Sequence, residues 1–205
     1  ANDYGAATIL QQQVARTNFI TRRTGDGTAN HGAFAEVVAS RTKTKAEFTE
    51  SQFTTFDLPR SSPYYIDLSQ YIPSFDNTKA ERVRWRCMEC GARQQTTTAD
   101  AYRLQLGLDG TIFTDWEYKV GLSTAESKAD TNLTDGYVYN DAFAAAFATG
   151  LINPFVKPGQ TQTPAAMALI ESTKARGPLF GGKSTVEQFD GTMSGDIWKL
   201  PAGPL

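Results

Sequence analysis

The sequence predicts an all-β chain whose antiparallel strands are joined by connections of very unequal length. Apolar and polar residues alternate on both sides of Asp109-Gly110, a pattern typical of a β-hairpin. Two other connections, at about 49–80 and 126–183, are far longer than the loops of compact domains usually are. Hydrophobic residues make up 40% of the chain and charged residues 20%, which indicates a folded protein rather than a disordered one.

The composition argues against several classes of protein. The formal net charge of -2 argues against a chain that binds nucleic acid over its whole surface. His31 is the single histidine, so neither a metal site built on histidines nor a chain of histidine relays is expected. The longest apolar run, Ala142–Ala148, is too short to cross a bilayer as a helix. No signal peptide is recognisable at Ala1, so we expect a cytoplasmic, an already processed or a partial chain.

Five strands are predicted, at about 14–23, 32–48, 81–108, 115–125 and 184–199. In the central pair, one side is apolar and the other is charged or small: Tyr102, Leu104, Leu106, Leu108, Trp116, Tyr118, Val120 and Leu122 against Arg103, Gln105, Gly107, Asp109, Glu117, Lys119, Gly121 and Ser123. A transmembrane β-barrel turns such an apolar side towards lipid, whereas a soluble sandwich buries it. Trp116 and Tyr118 stand beside the turn, where an aromatic girdle would meet the membrane interface, and they favour the barrel.

The loops at about 49–80 and 126–183 are predicted to be extracellular, since short turns at one end and long loops at the other are typical of outer-membrane barrels. The second loop is expected to carry two short helices. One covers Asp141–Thr149 and stops at Gly150, and the other covers 164–175 with Pro164 in its first turn.

Two motifs suggest chemistry without the context that the chemistry needs. Gly177–Ser184 fits the phosphate-binding pattern around Lys183, but a helix-like segment precedes it and a strand-like segment follows, which is the reverse of a P-loop. Cys87 and Cys90 form a C-x-x-C motif with neither a βαβ unit nor a second cysteine pair around it. They are therefore a local disulfide or two free thiols, and the disulfide is favoured if the chain lives outside the cytoplasm.

Candidate ligand-binding residues lie in the loops and in one charged run. Tyr64, Tyr65, Tyr137 and Tyr139 are loop aromatics that either anchor a ligand or pack loops together. Arg86 belongs to a run of arginines that either binds an anion or forms a salt-bridge ladder. Neither a nucleophile motif for His31 nor a G-x-S-x-G elbow is recognisable, so no catalytic residue, cofactor or enzymatic activity is expected.

Several segments in order along the chain resemble the barrel of TonB-dependent outer-membrane receptors. The resemblance covers about 33–205, and it rests on 61–65 (SSPYY), 86–93 (RCMECGAR), 100–110 (DAYRLQLGLDG), 115–122 (DWEYKVGL), 135–137 (DGY), 152–155 (INPF) and 194–204 (SGDIWKLPAGP). That family has a 22-stranded barrel filled by an N-terminal plug. It imports scarce nutrients such as iron chelates, cobalamin or oligosaccharides across the bacterial outer membrane, with energy supplied through TonB.

The resemblance implies a mid-barrel segment, because five strands cannot close a barrel and neither a plug nor a TonB box is recognisable. The expected partners are the rest of the barrel and plug, the TonB complex through the missing N-terminal region, and lipid or lipopolysaccharide, but not nucleic acid. Two alternatives stay open. One is a soluble secreted or cell-surface β-rich binding module that buries Leu104, Leu106, Leu108, Val120 and Leu122 in its core. The other is a nucleotide-binding protein that uses Lys183.

Overall fold

A computed structural model describes residues 11–28, 30–113, 116–157, 159–197, 199–200 and 203–204. Asp115, where the fourth strand was predicted to begin, and Trp198 of the C-terminal motif lie outside the described residues. Strands account for 60% of the described residues and helices for 12%, so the fold is mostly antiparallel β-sheet. Within the described ranges, every helix is too short or too polar to cross a membrane.

The structure describes nine strands, two α-helices and one turn of 3-10 helix. The strands are β1 (Gln13–Thr28), β2 (His31–Glu50), β3 (Gln52–Leu58), β4 (Glu81–Arg86), β5 (Ala92–Ile112), β6 (Trp116–Asp135), β7 (Gly177–Ser194), β8 (Lys199–Leu200) and β9 (Gly203–Pro204). The helices are α1 (Asn140–Ala148) and α2 (Pro164–Ser172), and the 3-10 turn is Met88–Cys90.

The largest sheet has the strand order β1-β2-β5-β6-β7. Side-chain contacts follow antiparallel pairing: Arg41 meets Asp100 and Gly32 lies against Asp109, so residue numbers rise along β2 as they fall along β5. A two-stranded sheet of β3 and β4 and a short hairpin of β8 and β9 complete the strands. β1 and β7 are the outer strands of the large sheet, and in the described part of the chain they do not pair with each other.

The strand boundaries differ from those predicted at several points, and β3 lies within the predicted loop 49–80. The predicted strand 81–108 is two strands, because the Cys87–Cys90 bond and the positive φ of Gly91 (81°) break it between β4 and β5. Residues 126–135 and 177–183, predicted as loop, belong to β6 and β7, whereas β7 ends at Ser194, short of the predicted 199. Backbone pairing continues through these segments although their side chains no longer alternate cleanly.

The turn between β5 and β6 also lies further along the chain than predicted. Asp109 and Gly110 belong to β5, and the strand runs on to Ile112. A Cβ on Gly110 would collide with the carbonyl oxygen of Asn30, so this glycine permits the close approach of the neighbouring chain rather than a turn. The left-handed conformation falls instead on Phe113, with φ of 57°.

The chain divides into two compact units. The core unit consists mainly of Lys45–Thr96 and Thr131–Leu179, and the sheet unit consists of Val14–Thr44, Thr97–Asp130 and the chain from Phe180 onward. From the sequence alone, residues 1–205 are predicted to form one partial β-barrel domain. The core unit contains both segments that were predicted as long loops, because β3, β4, α1 and α2 pack against one another there.

Aromatic stacking and a disulfide form the centre of the core unit. The ring of Phe143 in α1 is fully buried and stacks on Phe53 at 4.3 Å between centroids, with Phe56 at 5.5 Å and Trp85 at 6.0 Å. Cys87 and Cys90 form a buried disulfide with their Cα atoms 5.2 Å apart. Apolar side chains from both predicted loops therefore share one core.

Local sequence explains both helices. The run Ala144–Ala146 favours helix in α1, and Gly150, with φ of 74°, follows its end. In α2 the hydroxyl of Thr163 accepts a hydrogen bond from the Ala166 N–H at 3.2 Å, and Pro164 occupies the first turn, where its missing N–H costs nothing. The buried faces of the two helices, Phe143 and Phe147 in one and Ala166 and Ile170 in the other, point into the common core.

We predict that Phe143→Ala lowers the free energy of unfolding by about 3–5 kcal/mol, because it leaves a cavity among rings that cannot collapse onto it. Chemical denaturation followed by far-UV circular dichroism measures the change. Phe180→Ala, which truncates an exposed ring in β7, is the matched control and should change the value by less than about 0.5 kcal/mol. Equal losses in the two variants would contradict the central place of Phe143.

Candidate functional site

The loop tyrosines proposed as ligand contacts have separate partners in the protein. Tyr64 packs partly against the core cluster, and the Tyr65 hydroxyl donates to the carbonyl oxygen of Lys79 at 3.2 Å. Desolvation, with help from the charge of Asp67, raises the pKa of Tyr65. The Tyr137 ring faces the guanidinium of Arg93 at 5.9 Å, and Tyr139 is exposed at the start of α1. These tyrosines pack the core unit together more than they form one shared surface.

Arg86, the fifth candidate ligand-binding residue, forms an ion pair inside the core unit. Its side chain is 9% exposed and that of Glu50 is 10% exposed, with 3.8 Å between Nη1 and Oε2. A buried carboxylate of this kind needs a cation beside it, because an isolated buried charge is strongly destabilising. Arg86 therefore compensates Glu50, and its guanidinium is not free to receive an anion from solvent.

The most prominent surface feature is an exposed apolar face on the sheet unit. The apolar face is formed by Tyr102, Leu104, Leu106, Leu108, Tyr118, Val120, Leu122 and Phe189. Leu106 is 51% exposed, Leu108 is 50% exposed and Leu122 is 63% exposed. Within the described part of the sheet unit, no second layer covers these leucines, so this unit by itself does not form the sandwich that would bury them. A contiguous apolar surface of this kind marks an interaction site in most proteins.

The opposite face of the same strands is polar. The polar face is formed by Arg22, Phe34, Glu36, Gln105, Lys119 and Asp190. The Phe34 ring lies between the cations of Arg22, at 5.0 Å, and Lys119, at 5.3 Å. Gly107 lies directly under that ring, and a Cβ there would collide with it. The Phe34 ring is therefore flanked by charge, in contrast to the rings and leucines of the apolar face.

Charged groups border the apolar face at one end, and a polar contact lies at the other. Arg41 donates two hydrogen bonds to Asp100, at 2.6 and 3.1 Å. Glu126 accepts a hydrogen bond from Tyr102 at 2.9 Å and pairs with Lys183 at 2.6 Å. At the other end, Nδ1 of His31 lies 3.1 Å from the hydroxyl of Tyr118. The apolar face is therefore a band with defined limits rather than a whole side of the sheet.

Lys183 is part of that border and not of a phosphate-binding loop. The segment Gly177–Ser184 is extended backbone in β7, and a Cβ on Gly181 would lie 3.0 Å from the carbonyl oxygen of Ala129. Gly177 and Gly182, the two glycines of the P-loop pattern, lie in this strand with open space beside them, and the amine of Lys183 is bound to Glu126. The geometry gives no support to the nucleotide-binding alternative.

The core unit has a groove of its own, which the sequence did not indicate. The methionine groove is a hollow of 520 Å³ between the 3-10 turn and the start of α2, and it is lined by Met88, Glu89, Gln160, Thr161, Gln162, Pro164 and Met167. Only the position of Met88 between the two cysteines gave any signal in the sequence, since the other walls come from a segment far along the chain. Among the described side chains, no group of three or more His, Cys, Asp or Glu residues is arranged to hold a metal ion.

An ion-pair network ties the end of β6 to the segment after α2. Asp135 accepts from Lys174 and Arg176, both at 3.0 Å, and Glu171 pairs with Arg176 at 2.6 Å. Desolvation tends to raise the pKa of Asp135, but hydrogen bonds from Lys174 and from the Gly136 N–H outweigh it and hold this pKa below its ordinary value of 3.8. The Arg176 guanidinium likewise lowers the pKa of Glu171.

Comparisons with known proteins identify no relative of this chain. No family model matches the sequence, no curated protein matches it, and no solved structure matches the fold.

We predict that Asp135→Asn lowers Tm at pH 7 by up to about 4 °C, since partly exposed ion pairs contribute about 1 kcal/mol or less. The folded-state pKa of Asp135 is depressed, so its contribution is present above the unfolded pKa and is lost as pH falls through the folded pKa. The difference in Tm from the wild type should therefore shrink below about pH 4. Scanning calorimetry from pH 3 to 7 measures this, with the exposed Asp196→Asn as control. A difference that is constant with pH would rule out the ion pairs as its cause.

Proposed function

We propose that the sheet unit is a section of the wall of a larger β-barrel in the bacterial outer membrane. In this proposal the apolar face lies against lipid and the polar face lines a water-filled interior. The observation that carries the proposal is the half-exposed row of Leu106, Leu108 and Leu122 on a sheet whose other face holds the Arg22–Glu36 pair and the amine of Lys119. The resemblance of the sequence to TonB-dependent receptors suggests the activity, which is uptake of an iron chelate, cobalamin or an oligosaccharide energised through TonB.

The dimensions of the apolar face support a membrane-facing role. From Tyr102 to Leu108 it extends about 20 Å along β5, at about 3.3 Å per residue. The lipid-facing band of outer-membrane barrels is about 25 Å tall and has aromatic residues at both borders. Tyr102 and Tyr118 lie at the two ends of the apolar face. The Tyr102 hydroxyl donates to Glu126, which also pairs with Lys183. The strands are longer than this band, so the proposal places only part of each strand in lipid.

The outer strands require partners under this proposal. An unpaired edge leaves a row of N–H and C=O groups without hydrogen bonds, and in hydrocarbon each such group costs several kcal/mol. β1 and β7 therefore need neighbouring strands from the rest of a receptor barrel. A plug and the TonB complex would act through parts of the receptor that this chain does not contain, and lipid or lipopolysaccharide would contact the apolar face.

A second candidate is a soluble secreted or cell-surface module whose apolar face is covered by another protein. One observation favours it. The apolar face contains a hollow of 560 Å³ beside Ala33 and Ala35, whose small side chains leave room above Leu106 and Val120. A side chain from a partner protein would fill such a hollow, as large residues do at the centres of protein interfaces.

We predict that spin labels at two adjacent positions report opposite environments. The labels are attached to Leu106→Cys, on the apolar face, and to Gln105→Cys, on the polar face. Cys87 and Cys90 are bonded to each other, so each new thiol is labelled selectively. In phospholipid vesicles, collision with oxygen should exceed collision with a water-soluble nickel chelate several-fold for the Leu106 label, with the reverse order for the Gln105 label. Power-saturation EPR measures both rates.

The other outcomes separate the two candidates. Equal access of the nickel chelate to both labels in vesicles would remove the membrane proposal. A Leu106 label that is immobile and shielded from both reagents in vesicle-free solution would instead support a protein partner on the apolar face.

A further inference from the structure

The methionine groove has a rigid frame. The Gln162 side chain is buried, and its Nε2 donates to the carbonyl oxygen of Asn153 at 2.6 Å while its Oε1 accepts from the Asn153 N–H at 3.0 Å. On the opposite wall, the Cys87–Cys90 disulfide and the hydrogen bond from the Gly91 N–H to the carbonyl oxygen of Met88 fix the 3-10 turn. Both walls of the groove are therefore set by the fold before any ligand arrives.

Glu89 lines the groove and has a carboxylate that the protein does not fully satisfy. Its Oε2 is buried and has no hydrogen-bond partner among the residues that the structure describes. Its Oε1 has a 3.4 Å contact with the Gln162 amide, which already donates to Asn153 at 2.6 Å. No ion pair within the described ranges involves Glu89. A carboxylate in this position favours a cationic N–H donor strongly, because hydrogen bonds between charged groups are about twice as strong as neutral ones.

The remaining walls suit an apolar body. Met88 and Met167 are both exposed at the groove, and Pro164 lies beside them. Methionine side chains are flexible and polarisable, so they adapt to ligands of varied shape. A hollow of 520 Å³ is within the range of small-molecule sites, about 300–1,000 Å³. An apolar wall with one convergent carboxylate is the arrangement expected of a site for an amphipathic cation.

We propose that the methionine groove binds a small organic cation, with an ammonium or guanidinium group on Glu89 and an apolar body between Met88 and Met167. This inference goes beyond the proposed function, because it concerns the core unit and does not depend on what covers the apolar face. The five candidate ligand-binding residues suggested by the sequence do not line the groove.

The chain supplies its own internal control, since it has three methionines and Met193 lies in β7, in the sheet unit. The full chain carrying 13C-labelled methionine methyl groups is titrated with phenethylamine, and the methyl signals are followed by NMR. Met88 and Met167 should shift together along one saturable curve while Met193 stays in place. Titration with 2-phenylethanol, a neutral molecule of similar size, should give at least ten-fold weaker binding.

Glu89→Gln removes the charge at constant shape and should weaken phenethylamine binding at least ten-fold, whereas the control Asp141→Asn, an exposed acid in α1, should leave it unchanged. Equal binding of the amine and the neutral alcohol by the wild type would overturn the proposal without any variant. So would uniform shifts of all three methyl groups, or the absence of saturation at tens of millimolar amine. None of these three outcomes affects the spin-label experiment, so each of the two proposals can fail without the other.

Discussion

The stacking of Phe143 on Phe53 is the contact on which the organisation of the core unit depends. It joins α1 to β3, two elements that are far apart in the sequence, and so brings the segments 45–96 and 131–179 into one core. Ordering such long connections costs conformational entropy, and burial of large aromatic surfaces offsets it. The disulfide turn and α2 then pack on the same cluster, which is why a groove forms between them.

The two units treat their apolar residues in opposite ways. In the core unit, aromatic rings are buried and the polar groups Arg86, Glu50 and Gln162 are used internally. In the sheet unit, apolar side chains remain on one surface while the cations of Arg22 and Lys119 flank the ring on the other. An antiparallel sheet with one apolar and one polar face normally has an apolar environment on its apolar side and water on its polar side. The proposal for the sheet unit therefore rests on removal of the apolar face from water. The proposal for the core unit rests on recognition of a charged ligand by Glu89.

Period-two alternation predicted the apolar side of β5 and β6 from residues 102–122, because strand geometry alone puts every second side chain on one face. Predictions from local sequence were wrong where contacts between residues far apart in the sequence determine the structure. Asp109-Gly110 has the signature of a turn, yet its position against Asn30 keeps it in the strand. Tyr64 and Arg86 were chosen by residue type, and their burial depends on partners elsewhere in the fold. The groove combines Glu89 with Gln162 and Met167, a combination that no local window contains.

The number of strands in the large sheet has a topological consequence. Each strand in the order β1-β2-β5-β6-β7 is antiparallel to the strand before it. The two outer strands, β1 and β7, are therefore oriented in the same direction. A second copy in the same orientation would meet this one through a parallel junction. If the sheet is part of a closed barrel, as proposed above, and every pair of neighbouring strands is antiparallel, the total number of strands is even. The polypeptide that completes the barrel then contributes an odd number of strands. A candidate partner can therefore be tested by counting the strands that it would contribute.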